Sequence, residues 1–145
     1  KFGGKPWGDL MLIQGILGLR WRSRVHGYKP SIETSNISRS DYLFPERIDY
    51  LVNNAVKIDG QPNWFFIKLH AHGCRETDFD SIFGGQADEA YIYLESKYND
   101  EKNFVLHYVT AREMYNVIKA AEAGFRDWAS EYRDFIIPRY KYKVL

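Results

Sequence analysis

The chain has 145 residues, 45% of them hydrophobic and 27% charged, which is enough apolar material for one domain with an ordinary core over residues 1–145. Lys and Arg number 20 against 19 Asp and Glu, so the net charge of +1 gives no overall preference for nucleic acid or an anionic membrane surface. The single cysteine, Cys74, excludes an intrachain disulfide and is compatible with a cytoplasmic location, and no uncharged apolar run reaches the about 20 residues of a membrane-spanning helix. We therefore expect no nucleic acid and no membrane among its partners.

The first third of the chain predicts an extended segment, a loop and a helix. Residues 9–22 are rich in β-forming side chains, and residues 26–44 are rich in Ser, Asn, Gly and Pro, as long loops are. Pro45 suits a first helical position, and Gly60 with Pro62 should end that helix. Its apolar stripe follows helical spacing and consists of Ile48, Leu51, Val52, Ala55 and Val56.

Alternating arginines follow the extended segment and share one strand face, namely Arg20, Arg22 and Arg24. A basic stripe could bind an anionic ligand. We favour the plainer interpretation, a solvated strand edge that resists edge-to-edge pairing.

The rest of the chain predicts a β–α–β–α order. Residues 63–70 and 103–109 are predicted strands, and residues 86–99 a helix between them. Thr110 opens a further helix with a capping box, and the tail, with Pro138, is predicted to be an edge strand. This order favours parallel strands with right-handed crossovers. The predicted class is α/β, either a partial (β/α) barrel or an open, mostly parallel sheet with flanking helices, in which residues 63–70 form a central strand parallel to residues 103–109.

Two histidines end the first of these strands. Alternate side chains of a strand share a face, and this face runs from aromatic to polar through Trp64, Phe66, Lys68, His70 and His72. The gradient is typical of a parallel strand whose carboxyl end opens on a ligand site. Structural histidines bonded to loop backbone are the plain alternative.

The motif order resembles a known family. The segments "FFIKLHAHG", "ADEAYIYLESKYN", "NFVLHYV" and "TAREM" resemble, in that order, the carboxyl-terminal portion of a polysaccharide deacetylase domain of carbohydrate esterase family 4, over residues 45–122. The resemblance implies carbohydrate N- or O-deacetylation, with His70 as candidate general acid. Lys68 falls where that family carries a leucine of the acetyl pocket, which is a departure. Lys68, His72 and Trp64 share the face of His70 and are our candidate substrate-binding residues.

The remaining parts of that family's catalytic centre lie in amino-terminal motifs that residues 1–44 do not reproduce. We therefore expect the chain to be the carboxyl-terminal part of a larger deacetylase-like domain. A divalent metal is possible in the intact protein, whereas we expect this chain to hold no cofactor and to be inactive on its own.

Two other hypotheses stay open. The strand end "LHAHG" also resembles the opening strand of amidohydrolase-like and PHP-like barrels, and would make His70, His72 and Asp78 or Asp80 the ligands of a hydrolytic metal. A non-catalytic carbohydrate-binding or assembly module is the other hypothesis, because 17% of the residues are aromatic. We further expect a homodimer that buries apolar residues near both ends of the chain, among them Trp7, Leu10, Leu12, Ile16, Leu17, Phe135, Ile136 and Ile137.

Overall fold

The structure is a computed structural model that describes residue 8 and residues 10–24, 27–73 and 75–142, without the side chains of residues 22–24 and 28. The strands are β1 (Gly18–Arg24), β2 (Gly27–Glu33), β3 (Asn36–Ile37), β4 (Val56–Ile58), β5 (Gln61–Phe66) and β6 (His70–Ala71). The helices are α1 (Pro45–Asn53), α2 (Phe79–Phe83), α3 (Gly85–Tyr98) and α4 (Ala111–Glu122), with 3₁₀ turns at Glu76–Asp78 and Ala129–Tyr132.

Residue contacts divide the chain into two compact units. The larger unit comprises Gln14–Val56 and Phe66–Leu106, and the smaller unit comprises Lys57–Phe65 together with the segments before Gln14 and from His107 onward. The larger unit therefore contains β1, β2, β3 and β6 with helices α1, α2 and α3, whereas α4 belongs to the smaller unit.

The strands form three small sheets of two strands each, β1–β2, β3–β6 and β4–β5. Mixed helices and strands agree with the predicted class in its coarse form, and the described residues form no closed barrel. The predicted central strand is wrong. Residues 63–70 are divided between β5, which ends at Phe66, and β6, which begins at His70, and residues 103–109 contain no strand with which either could pair.

Turn chemistry explains why β5 pairs with β4. Asp59 and Gly60 connect the two strands, and Gly60 has a φ of 84°, in the left-handed region that Asp-Gly hairpin turns require. Pro62 therefore lies inside a strand rather than after a helix. Helix α1 ends earlier than predicted, at Asn53, because Val56 already belongs to β4.

Residues 18–33 form an antiparallel hairpin in the larger unit, with Gly18 paired to Glu33 and Leu19 to Ile32. The predicted loop over residues 26–44 is therefore wrong in its first part, which is β2. The predicted solvated edge is wrong for Arg20, which is buried. The side chains of Arg22 and Arg24 lie outside the described residues.

A charged cluster explains the burial of Arg20. Glu33 is fully buried between two guanidinium groups: Arg20 Nε lies 2.7 Å from its Oε2, and Arg47 Nη2 lies 2.7 Å from its Oε1. Ser35 donates its backbone N–H to Glu33 Oε1 at 2.7 Å, and Asp41 pairs with Arg20. The cluster joins the hairpin to α1.

An apolar core lies beside the charged cluster. Ile48, Leu51 and Val52 from the predicted stripe of α1 are buried in it. The other buried members come from the residues before α1 and from α3. Those before α1 are Ile16, Ile37 and Leu43, and those of α3 are Ala90 and Tyr98. A bonded contact reinforces the packing of α1 on α3, since Tyr93 and Tyr98 donate their hydroxyls to Asp49 at 2.8–3.0 Å.

The predicted helices over 86–99 and after Thr110 are confirmed as α3 and α4. Thr110 and Glu113 form the predicted capping box. The predicted tail strand is wrong for the described residues. That segment is instead tied to α4, because Asn116 accepts the backbone N–H of Ile137 at 2.8 Å and Arg112 contacts Asp134 at 2.6 Å. Within the described residues, no helix combines the length and the apolar character needed to cross a membrane.

Candidate functional site

The strand end singled out by the sequence lies beside β3. Strand β6 pairs in parallel with β3, which places Asn36 opposite His70 and Ile37 opposite Ala71. The backbone N–H of His70 donates to Ser35 O at 3.0 Å. Directly paired residues of a parallel ladder present their side chains on the same face, so Asn36 and His70 share a face.

Each of these two side chains has a buried polar atom that makes no hydrogen bond. Asn36 Oδ1 and His70 Nδ1 are buried and have no hydrogen-bond partner, as is the case for only one other side-chain atom of the described residues, Arg20 Nη1. An unpaired buried polar atom costs roughly 1–3 kcal/mol, so such atoms are usually satisfied by water or by a ligand. The two atoms belong to residues that are paired directly in the β3–β6 ladder.

His70 is held in its neutral form by its surroundings. Burial lowers the pKa of His70 below its ordinary value of 6.5, and the positive charges of Lys68 and His72 lower it further. A histidine that acts as general acid needs a proton at the working pH, and a carboxylate usually provides for it by raising the pKa. Here burial and the neighbouring charges move the pKa in the opposite direction, which favours the neutral imidazole over the protonated form that a general acid needs.

An open cleft follows the carboxyl ends of β3 and β6. It has a volume of about 630 Å³, and every residue that lines it is polar: Asn36, Ser38, Arg39, Ser40, His72, Arg75, Thr77 and Asp78. One wall is a turn closed by two backbone hydrogen bonds between Ser38 and Asp41, at 2.9 and 3.3 Å. The other side of the cleft is lined by His72, Arg75, Thr77 and Asp78.

Asp78 holds the two walls together. Its Oδ1 accepts the backbone N–H of Arg39 at 2.8 Å, and its Oδ2 lies 3.8 Å from Arg75 Nε. The Asp78 side chain is only 7% exposed, whereas that of Arg75 is 63% exposed. Asp78 is therefore engaged by the protein itself, and the arginines supply the accessible charge.

The candidate residues named from the sequence are partly brought together. His72 and Asp78 line the cleft, and His70 lies in β6, two residues before His72. Lys68 is half-buried. Trp64 belongs to the smaller unit, where its ring centroid lies 6.1 Å from that of Tyr132.

Asp80 is exposed on α2 and does not line the cleft. Within the described ranges, which omit Cys74, no three His, Cys, Asp or Glu side chains lie close enough to hold a metal ion. The proposed metal set of His70, His72 and Asp78 or Asp80 is therefore not assembled in the described residues.

One wall of the cleft was missed in the sequence because residues 36–40 were assigned to a long loop. The stretch "SNISRS" carries a usable signal, since five of its six residues are polar and it lies four residues before the helix that starts at Pro45. A loop with such a composition, positioned by regular elements, is a common place for binding residues.

Comparison of the chain with known protein families, with curated proteins and with solved structures yields no match.

Proposed function

We propose that this chain is a carbohydrate-binding part of a polysaccharide-deacetylase-like protein, and that it binds sugar in the cleft beyond β3 and β6. The polar lining of that cleft is the observation that carries the proposal. Each sugar hydroxyl both donates and accepts a hydrogen bond, so hydroxyl, amide, imidazole and guanidinium groups are suitable partners for it. The resemblance of "FFIKLHAHG" and "TAREM" to that family supports the same substrate class.

In this proposal the chain binds without deacetylating. Removal of an acetyl group needs an activated water, a base and a proton donor in one place. The lowered pKa of His70 suits a neutral imidazole that positions a hydroxyl rather than a proton donor. We assign His70 and His72 to sugar contacts on this basis rather than to a His-x-His metal site, because no third ligand joins the pair in the described part of the chain.

Titration of the ¹⁵N-labelled chain with a tetrasaccharide of N-acetylglucosamine tests the proposal. We expect amide shifts to change over residues 36–40 and 72–78, and no acetate to be released. The variant S38A/S40A removes two hydroxyls of the cleft and should raise Kd by roughly thirtyfold, since each hydrogen bond contributes about 1 kcal/mol and each 1.4 kcal/mol changes Kd about tenfold.

The matched control is S96A/S130A, which removes two exposed hydroxyls outside the cleft and should leave Kd unchanged. The absence of shift changes at high sugar concentration would contradict binding, and so would equal weakening in both variants. Release of acetate that the S38A/S40A variant abolishes would replace the binding role with a catalytic one.

A further inference from the structure

We infer that the cleft recognises a negatively charged sugar, with its arginines bound to a carboxylate or sulfate of an acidic carbohydrate. This inference rests on the proposed function and adds to it the substrate class. The observations that carry it are the charge balance of the lining and the hydroxyl groups that line the same cleft.

The charge of the lining is positive overall. Arg39 and Arg75 each contribute one positive charge, and Asp78 is the only acidic residue among the eight that line the cleft. Asp78 cannot serve both arginines fully, because Arg39 reaches it through its backbone N–H and the Arg75 contact is 3.8 Å long.

The two arginines approach the cleft from different walls. Arg39 belongs to the Ser38–Asp41 turn, and Arg75 immediately precedes the Glu76–Asp78 turn. Since both arginines line the same cleft, their positive charges would attract an anion that enters it. The planar fork of a guanidinium matches a carboxylate or a sulfate with two parallel hydrogen bonds, which makes such an anion the fitting occupant.

The hydroxyls of the lining favour an acidic sugar over a free anion. Ser38, Ser40 and Thr77 line the same cleft as the two arginines, and their hydroxyls can both donate and accept hydrogen bonds. A ligand that uses the arginines and these hydroxyls carries an anionic group and hydroxyls on one framework, as uronic acids and sulfated sugars do.

Calorimetric titration with three probes tests the inference: a glucuronic acid tetrasaccharide, a sulfated N-acetylglucosamine tetrasaccharide and the uncharged N-acetylglucosamine tetrasaccharide. We expect at least one acidic probe to bind roughly tenfold more tightly than the uncharged one, since charge-assisted hydrogen bonds are about twice as strong as neutral ones. The preference should diminish when the salt concentration rises from about 0.02 M to about 0.5 M. Which acidic probe binds more tightly identifies the anionic group.

The variant R39Q/R75Q should lose the preference, so that the acidic and the uncharged probes bind with similar Kd. The control R126Q/R139Q removes the same charge from exposed arginines outside the cleft and should keep the preference. If R39Q/R75Q does not fold, the variant R39K/R75K retains the charges without the fork and should show an intermediate preference.

The outcomes separate the two proposals. Equal binding of acidic and uncharged probes by the unmodified chain overturns the anion inference and leaves carbohydrate binding intact. Equal loss of preference in R126Q/R139Q also overturns it, because net charge rather than the cleft would then be responsible. Binding of sodium sulfate with no binding of any sugar overturns both proposals.

Discussion

Replacement of Glu33 by glutamine should be among the most damaging single changes in the larger unit. Glu33 is fully buried, and its two oxygens accept hydrogen bonds from Arg20, Arg47 and the backbone N–H of Ser35, all at 2.7–2.8 Å. A glutamine side chain at this position would keep the shape and one acceptor, but it would remove the buried negative charge that lies between two buried guanidinium groups. Asp41, whose side chain is 18% exposed, could compensate only in part.

Breaking a buried ion pair by removal of one partner typically costs about 3–5 kcal/mol, because the other charge is left uncompensated. We expect a loss of about 3–5 kcal/mol for Glu33→Gln, comparable with the whole stability of many small domains. The matched control is Glu46→Gln, the same substitution at an exposed position in the first turn of α1, which should cost less than about 1 kcal/mol.

Urea unfolding monitored by tryptophan fluorescence measures both variants. The dependence on pH gives an independent check. Burial raises the pKa of Glu33, but the hydrogen bond and charge of Arg47, with Ser35 and Arg20, outweigh it, so its pKa in the folded state lies below the ordinary 4.5. The stability contributed by Glu33 is therefore present above pH 4.5 and is lost as the pH falls below that value. Similar losses for Glu33→Gln and Glu46→Gln, or a loss for Glu33→Gln that is independent of pH below 4.5, would refute the role of the cluster.

Three further predictions concern single residues. Gly15→Ala would bring a Cβ to 2.5 Å from Ser35 Cβ and should lower the free energy of unfolding by about 1–3 kcal/mol. Gly85→Ala, on a helix, would place its Cβ in open space and should be neutral or slightly stabilising. Equal effects of the two substitutions in thermal unfolding would contradict this. Thr110→Ala removes the capping box of α4 and should cost about 1 kcal/mol in the same assay, and no loss would show that the cap is dispensable. His70 should titrate below pH 6.5 in proton NMR, since burial and neighbouring charge lower its pKa, and a midpoint above 6.5 would contradict its assignment as a neutral group.

The elements that could be predicted from the sequence are those specified by local signals. Pro45 marked the start of α1, and the apolar spacing within residues 86–99 marked α3. The capping box at Thr110 and Gly124, which adopts a φ of 86° just after α4, marked both ends of the last long helix. Each signal acts within a few residues, so tertiary contacts did not override it.

The pairing of strands could not be predicted in the same way. Residues 27–33 contain Gly, Pro and Ser, yet they form β2 because β1 lies directly before them and Glu33 accepts a hydrogen bond from Arg20 across the hairpin. Asp59-Gly60 is a hairpin signal, but Gly60 was interpreted as the end of the first helix, whose apolar stripe was extended too far toward it. The pairing of Asn36 with His70 joins residues 34 positions apart, and no local pattern indicates it.

The last prediction concerns assembly, for which we propose a homodimer formed through the smaller unit. Leu10, Leu12, Tyr140 and Tyr142 belong to this unit and are 74–90% exposed. Several strongly exposed apolar residues in one unit are more typical of interfaces than of monomer surfaces. Ile16, which we expected at the interface, is instead buried in the core of the larger unit, and Trp7 lies outside the described residues.

Light scattering coupled to size exclusion at micromolar concentration should give a mass near twice the 17.1 kDa of one chain. The variant L10E/L12E places charges on the proposed interface and should yield the monomer, because a buried unpaired carboxylate is far more costly than an exposed one. The control L19E/I32E alters two exposed apolar residues that face each other in the β1–β2 hairpin and should leave the dimer intact. A mass of one chain for the unmodified protein would exclude the homodimer, and dissociation by L19E/I32E alone would assign the interface to the hairpin.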